Sequence, residues 1–178
     1  HNGRLVASTS GTMTTDRVVS PTMVGWNGSA AQTLVYKNVS GSFVNASTNN
    51  LTGLLNSTIA WGDYDNDGDL DLLITGDPDA EYVSKIYRNN SDNTFSEAYS
   101  LPGVFEGWVE WGDYDNNGNM DVLLSGEPYG GENFSGIFRN SDFTDIGAGL
   151  DGIAYGSTAW GYYENDGALD ILLTGIIS

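Results

Sequence analysis

Short apolar runs punctuate the chain, each bounded by clusters of Gly, Asn, Asp and Ser. Leu70-Asp71-Leu72-Leu73-Ile74-Thr75-Gly76 is one of them. Met120-Asp121-Val122-Leu123-Leu124-Ser125-Gly126 and Leu169-Asp170-Ile171-Leu172-Leu173-Thr174-Gly175 are built alike. Such runs, rich in β-branched and aliphatic residues and closed by turn formers, predict strands. No stretch sustains an apolar period of 3.6 residues, so helix is expected to be minimal. The chain is read as all-β.

The runs belong to a repeat. Trp61-Gly62-Asp63-Tyr64-Asp65 recurs as Trp111-Gly112-Asp113-Tyr114-Asp115, and in weaker form as Trp160-Gly161-Tyr162-Tyr163-Glu164. A second signature, Val35-Tyr36-Lys37-Asn38, returns as Ile86-Tyr87-Arg88-Asn89 and Ile137-Phe138-Arg139-Asn140. A lone Phe follows each, at Phe43, Phe95 and Phe143. Each unit therefore predicts four strands: one ending at Trp-Gly, one through the Leu-rich run, one carrying the signature and one through the lone Phe. Four-stranded units of about fifty residues are the size of propeller blades. The expected fold is three four-stranded, propeller-like blades with an Asp-rich loop between strands one and two of each. The repeated Trp and the aromatics Tyr36, Tyr87 and Phe138 are expected to be core. Lys37, Arg88 and Arg139, alternating with them, are expected to face solvent or pair with carboxylates.

The first unit is expected to run from Ser57 to about Leu101 and the second to about Leu150, while the third, from Gly156, supplies only two strands. Its missing pair is expected from residues 33–48, of the same chain or of a neighbour. Residues 31–178 would then carry three repeats. Residues 1–30 would form an arm with strand-like Arg4-Leu5-Val6-Ala7 and Thr22-Met23-Val24-Gly25-Trp26, long enough to reach another subunit. A bare apolar edge at Leu169–Ile176 is an aggregation hazard unless paired. Head-to-tail self-association by strand addition, as a ring or a filament, follows as the expectation. The plain alternative is a fold-back within one chain, or a fragment of a longer propeller.

The loops between strands one and two carry the chemistry. In the first, Asp63, Asp65, Asp67 and Asp71 stand at positions 1, 3, 5 and 9, Gly68 at position 6 permits the reversal, and Asp69 at position 7 offers its carbonyl. Alternate oxygens of a tight loop can converge on a hard cation, and the pattern suits calcium. An EF-hand would need a Glu where Ile74 stands, and helices where these flanks read as strands. The second loop repeats the set as Asp113, Asp115, Asn117 and Asp121, with Asn119 at position 7 and one charge fewer. The third keeps Glu164, Asp166 and Asp170 but has Tyr162 at its first position, which leaves its occupancy open. Two calcium sites and an uncertain third are expected.

These loops, set between strands in tandem units of about fifty residues, resemble the FG-GAP/VCBS repeat family. That family builds β-propellers, including integrin α heads and some lectins, and holds calcium in the corresponding loop. The resemblance covers roughly residues 33 to 178, is specific in two loops and departs at Tyr162. It implies a fold and a metal, not an activity.

Composition narrows the rest. Among 178 residues, 24 acidic side chains face 6 basic ones, a net charge of -18, which disfavours nucleic acid and anionic membranes as partners. No apolar run is long enough to span a bilayer. There is no Cys, and the one His is residue 1, so thiolate chemistry and most acid–base catalysis near neutral pH are closed. The close carboxylate pairs are already taken by the loops, so no enzyme is expected. Sequons at Asn27, Asn38, Asn45, Asn50, Asn56, Asn89 and Asn133, with a chain that opens on His1, suggest a processed, secreted, extracellular glycoprotein or a fragment of one. Two functional readings remain. One is a self-assembling structural protein. The other is a lectin or cell-adhesion module using Trp108 and Tyr129, with Trp26 a further exposed-ring candidate for stacking on glycans.

Overall fold

A computed structural model describes residues 7–9, 31–46, 50–78 and 81–177. Every regular element among them is a strand, in antiparallel sheets. The first full sheet holds β4 (Leu55–Gly62), β5 (Asp71–Asp77), β6 (Val83–Asn89) and β7 (Phe95–Leu101), in chain order, with the short β1 (Ala7–Thr9) added on the outer edge of β4. The second holds β8 (Val104–Gly112), β9 (Asp121–Pro128), β10 (Phe134–Arg139) and β11 (Thr144–Asp145). Two hairpins complete the chain: β2 (Tyr36–Val39) with β3 (Ser42–Asn45), and β12 (Ile153–Gly161) with β13 (Asp170–Ile177). The chain is all-β among the described residues, as the sequence suggested, in several antiparallel sheets.

β5 and β9 are buried along nearly their whole length because each lies inside its sheet and is covered on both faces. One core lies between the two full sheets: Ala60, Leu73 and Ile86 meet Val109, Trp111, Val122 and Leu124. The other face of the first sheet, with Ile59, Leu72, Ile74, Tyr87 and Phe95, is covered by Leu54 and, from the N-terminal side, by Val35 and Leu51. Tyr87 and Phe138 are buried as core residues, as expected, and so is Trp111.

Strand one begins at Leu55 in the first unit and Ile153 in the third, earlier than the Ser57 and Gly156 read from the sequence, and at Val104 in the second. The extension is a β-bulge: pairing slips between Leu55 and Thr58, between Phe105 and Trp108, and between Ala154 and Ser157. At each slip one non-glycine residue takes a left-handed backbone, Asn56 at φ 45°, Glu106 at 45° and Tyr155 at 54°. The fourth strand of unit two is shorter than expected. Phe143 itself lies outside it at φ 53°, in a turn that closes back on Arg139, so only Thr144 and Asp145 remain to pair with β10.

Candidate functional site

The Asp loops sit where β4 turns into β5 and β8 into β9, their bases fixed by the strands. Asp71 and Asp121 open the second strand of each hairpin and are fully buried. Asp71 accepts the Tyr64 N–H at 3.0 Å with one oxygen and the Asn89 N–H at 2.9 Å with the other, tying the loop to β6. Asp121 does the same with Tyr114 at 3.2 Å and Asn140 at 2.8 Å. Burial pushes the Asp71 carboxyl up to about 6, against these hydrogen bonds, and raises Asp121 for the same reason.

Above this base, Asp63 takes the N–H groups of Asp67 and Gly68 at 3.1 and 3.2 Å, and Asp113 those of Asn117 and Gly118 at 2.9 and 2.8 Å. Gly68 and Gly118 supply the left-handed turn, at φ 95° and 91°. The result is two convergent trios, Asp63–Asp65–Asp71 and Asp113–Asp115–Asp121, each with one oxygen per residue within 4.8 Å of the others. Carboxylates this close repel unless a cation lies among them, so each trio could hold a metal ion.

The remaining loop residues point elsewhere. Asp67 is held by the Asp69 N–H and by Arg88, and both keep its carboxyl below the usual range. Arg88 reaches Asp65 at 2.7 Å and Asp67 at 3.0 Å, the pairing its place beside Tyr87 suggested. The Asp69 side chain takes the Ser91 hydroxyl. Asn117 accepts the Asn119 N–H at 2.8 Å. In the third loop Asp170 accepts the Tyr163 N–H at 2.6 Å and Asp166 the Ala168 N–H at 2.9 Å, while Glu164 offers its own N–H to Asp170. No third trio forms among the described residues.

Successive loops are also laced together, a feature not anticipated from sequence. The Asn66 amide donates to Asn119 at 3.0 Å, and the Asn116 amide to the Gly167 carbonyl at 3.0 Å. Its signal was present: Asn recurs at the fourth loop position as Asn66, Asn116 and Asn165, each left-handed.

Of the sequon residues, Asn38, Asn45, Asn50 and Asn56 are exposed and cluster near the N-terminal hairpin, while Asn89 and Asn133 are half-buried. Asn27 and Trp26 lie outside the described residues. Trp108 is half-buried in β8, and its indole N–H is buried without an acceptor, so it is no open platform. Tyr129 is 81% exposed.

No curated protein and no solved structure matches the chain. The model of the FG-GAP-like repeat family does match, over residues 63–124, from the first Asp loop into β9. Both trios lie inside that span, so the chain carries an FG-GAP-like repeat over residues 63–124.

Proposed function

We propose that this chain is a non-enzymatic, calcium-stabilised extracellular structural protein whose copies associate head-to-tail by strand complementation. Its sheets serve as propeller-like blades, and the hairpin β2–β3 of one copy completes the half-built unit β12–β13 of the next. One observation carries this reading. Among the described residues, β5 and β9 each pair with a third strand bearing the Tyr/Phe-Arg-Asn signature, whereas β13 pairs only with β12, and β2, which carries the variant Tyr36-Lys37-Asn38, pairs only with β3.

Exposure supports it. Phe95 and Phe143 are buried in their units, but Phe43, at the same place in the repeat, is 53% exposed. Asp71 and Asp121 each receive an N–H from the third-strand Asn, and the corresponding N–H for Asp170 would come from Asn38 of the added strand. Calcium is the cation chosen because an all-oxygen, carboxylate-rich loop suits a hard ion. Exposed sequons and the excess of acid fit a glycosylated surface outside the cell.

Sedimentation and electron microscopy of the full chain in calcium test the proposal. Ordered polymers are expected, and deleting residues 1–48 should leave monomers or amorphous aggregates. Ordered polymers from the deleted chain would overturn it.

A carbohydrate-binding role is the second reading, favoured by a row of rings at the end of the sheets opposite the Asp loops. Tyr129 packs on Tyr82 at 5.9 Å, Tyr82 on Phe105 at 5.2 Å and Phe105 on Tyr155 at 6.4 Å. Exposed ring faces beside Glu127, which accepts the Tyr155 hydroxyl at 3.4 Å, suit stacking on sugars. Glycan-array binding lost on Tyr129→Ala would support it.

A further inference from the structure

The contact between units repeats, and the third unit presents its half of that contact with nothing against it among the described residues. Trp111 of the second unit lies on Gly62 of the first so closely that a Cβ there would meet the indole at 2.6 Å. Trp160 of the third unit lies on Gly112 of the second at the same 2.6 Å. At Gly161, the next in the series, a Cβ would meet nothing within 4 Å. Around these glycines the same pattern holds. Tyr64 stacks on Trp111 with centroids 6.2 Å apart and planes 6° from parallel, whereas Tyr163, its counterpart in the third unit, is 90% exposed. Leu73 and Leu123 are fully buried beneath the following unit, while Leu172 is 64% exposed.

The complementary half lies at the other end of the chain. Trp61 stands on Phe95 at 6.2 Å as Trp111 stands on Phe143 at 6.2 Å, so its ring is set in the same way. No unit precedes it among the described residues to offer the Gly that Trp111 and Trp160 find, or the Tyr that stacks on Trp111.

We infer that Trp61 of a second copy of this chain seats on Gly161, between Tyr163 and Leu172. The inference rests on the head-to-tail reading and specifies which rings make the joint. The internal contact thus continues across the subunit boundary, one indole per step. Asn165, left-handed at φ 55° like Asn66 and Asn116, faces the first Asp loop of that second copy, so the loop lacing continues with it.

The expected partner ring makes the smallest possible substitution decisive. Gly161→Ala adds a methyl to open space in the isolated chain, at a position whose backbone any residue accepts, but puts it inside the incoming indole. In sedimentation experiments on the full chain in calcium, the association constant should fall at least about tenfold, as overpacking of a close contact does. The thermal melt of the unassociated chain should not change. Tyr163→Ala, which removes a side chain that is 90% exposed, should weaken association severalfold with the same unaltered melt. If wild type associates and both variants match it, the seat is wrong while head-to-tail assembly stands. If wild type is monomeric throughout, the head-to-tail reading itself falls, and the seat with it.

Discussion

The Glu110 carboxylate accepts the Trp160 N–H at 3.0 Å and so joins β8 to β12 across the boundary between the second and third units. The residue is specific to this joint, because the repeat places Ala60 and Ala159 at the same position. Burial raises its carboxyl above the ordinary 4.5, and the single N–H only partly offsets this.

That relationship gives a pH dependence. An acid whose folded value is raised holds its proton longer in the folded state, so stability falls as pH climbs from 4.5 through the folded value. Glu110→Gln keeps an acceptor and removes the charge. It should stabilise the chain at pH 7, and the gain should vanish below pH 4.5. Chemical denaturation at the two pH values measures the difference.

Calcium should stabilise the fold. An ion that binds only the native state adds about 2.7 kcal/mol when present at a hundredfold over its dissociation constant. Excess chelator should therefore lower the melting temperature. Asp63→Ala and Asp71→Ala should lower it more than Asp166→Ala, because the first two belong to a convergent trio and Asp166 does not. A melt indifferent to chelator would refute the metal's structural role.

Arg88 occupies two carboxylates of the first loop, one of them in the trio. Replacing it by Gln should tighten calcium binding at that loop and leave the second loop unchanged, since the cation no longer competes for Asp65. Titration calorimetry on the variant, with Asp121→Ala added to silence the second loop, resolves the effect.

Gly62→Ala should destabilise the isolated chain by about 2 kcal/mol, because a Cβ there collides with a fully buried indole that has no room to retreat. Gly112→Ala should cost a similar amount through Trp160. Urea melts of the two variants check this.

If the chain is made in a glycosylating pathway, sugar should favour Asn38, Asn45 and Asn56 over Asn89 and Asn133. The Asn89 and Asn133 amides already donate to the Leu70 and Ile176 carbonyls at 3.1 and 2.8 Å. Site mapping by mass spectrometry reads the order, and an intact mass of 19.0 kDa would rule glycosylation out.

Much of this was legible because repeats write the same instruction more than once. The tripled Trp-Gly pair marked each strand end, and the paired Asp loops marked the hairpins between. The bulges were not legible, since a left-handed Glu106 or Tyr155 is held there by strand pairing and nothing in those residue types calls for it. Nor could spacing tell which carboxylates converge. Arg88, distant in sequence, draws Asp67 out of the cluster that alternation alone would have assigned it to.

In both full sheets every pairing except that of β1 with β4 joins strands next to each other in sequence. The chain therefore behaves thermodynamically like links in series, with the total stability near the sum of each unit and of each joint between neighbours. A lesion in one link is felt by its neighbours and hardly beyond them. Loop closures are short, so the search for native pairings is quick for an all-β protein. Fraying should start from the two-stranded hairpins, β2–β3 with its residues almost all exposed and β12–β13 with one covered face, and hydrogen exchange should be fast there and slow toward β5 and β9.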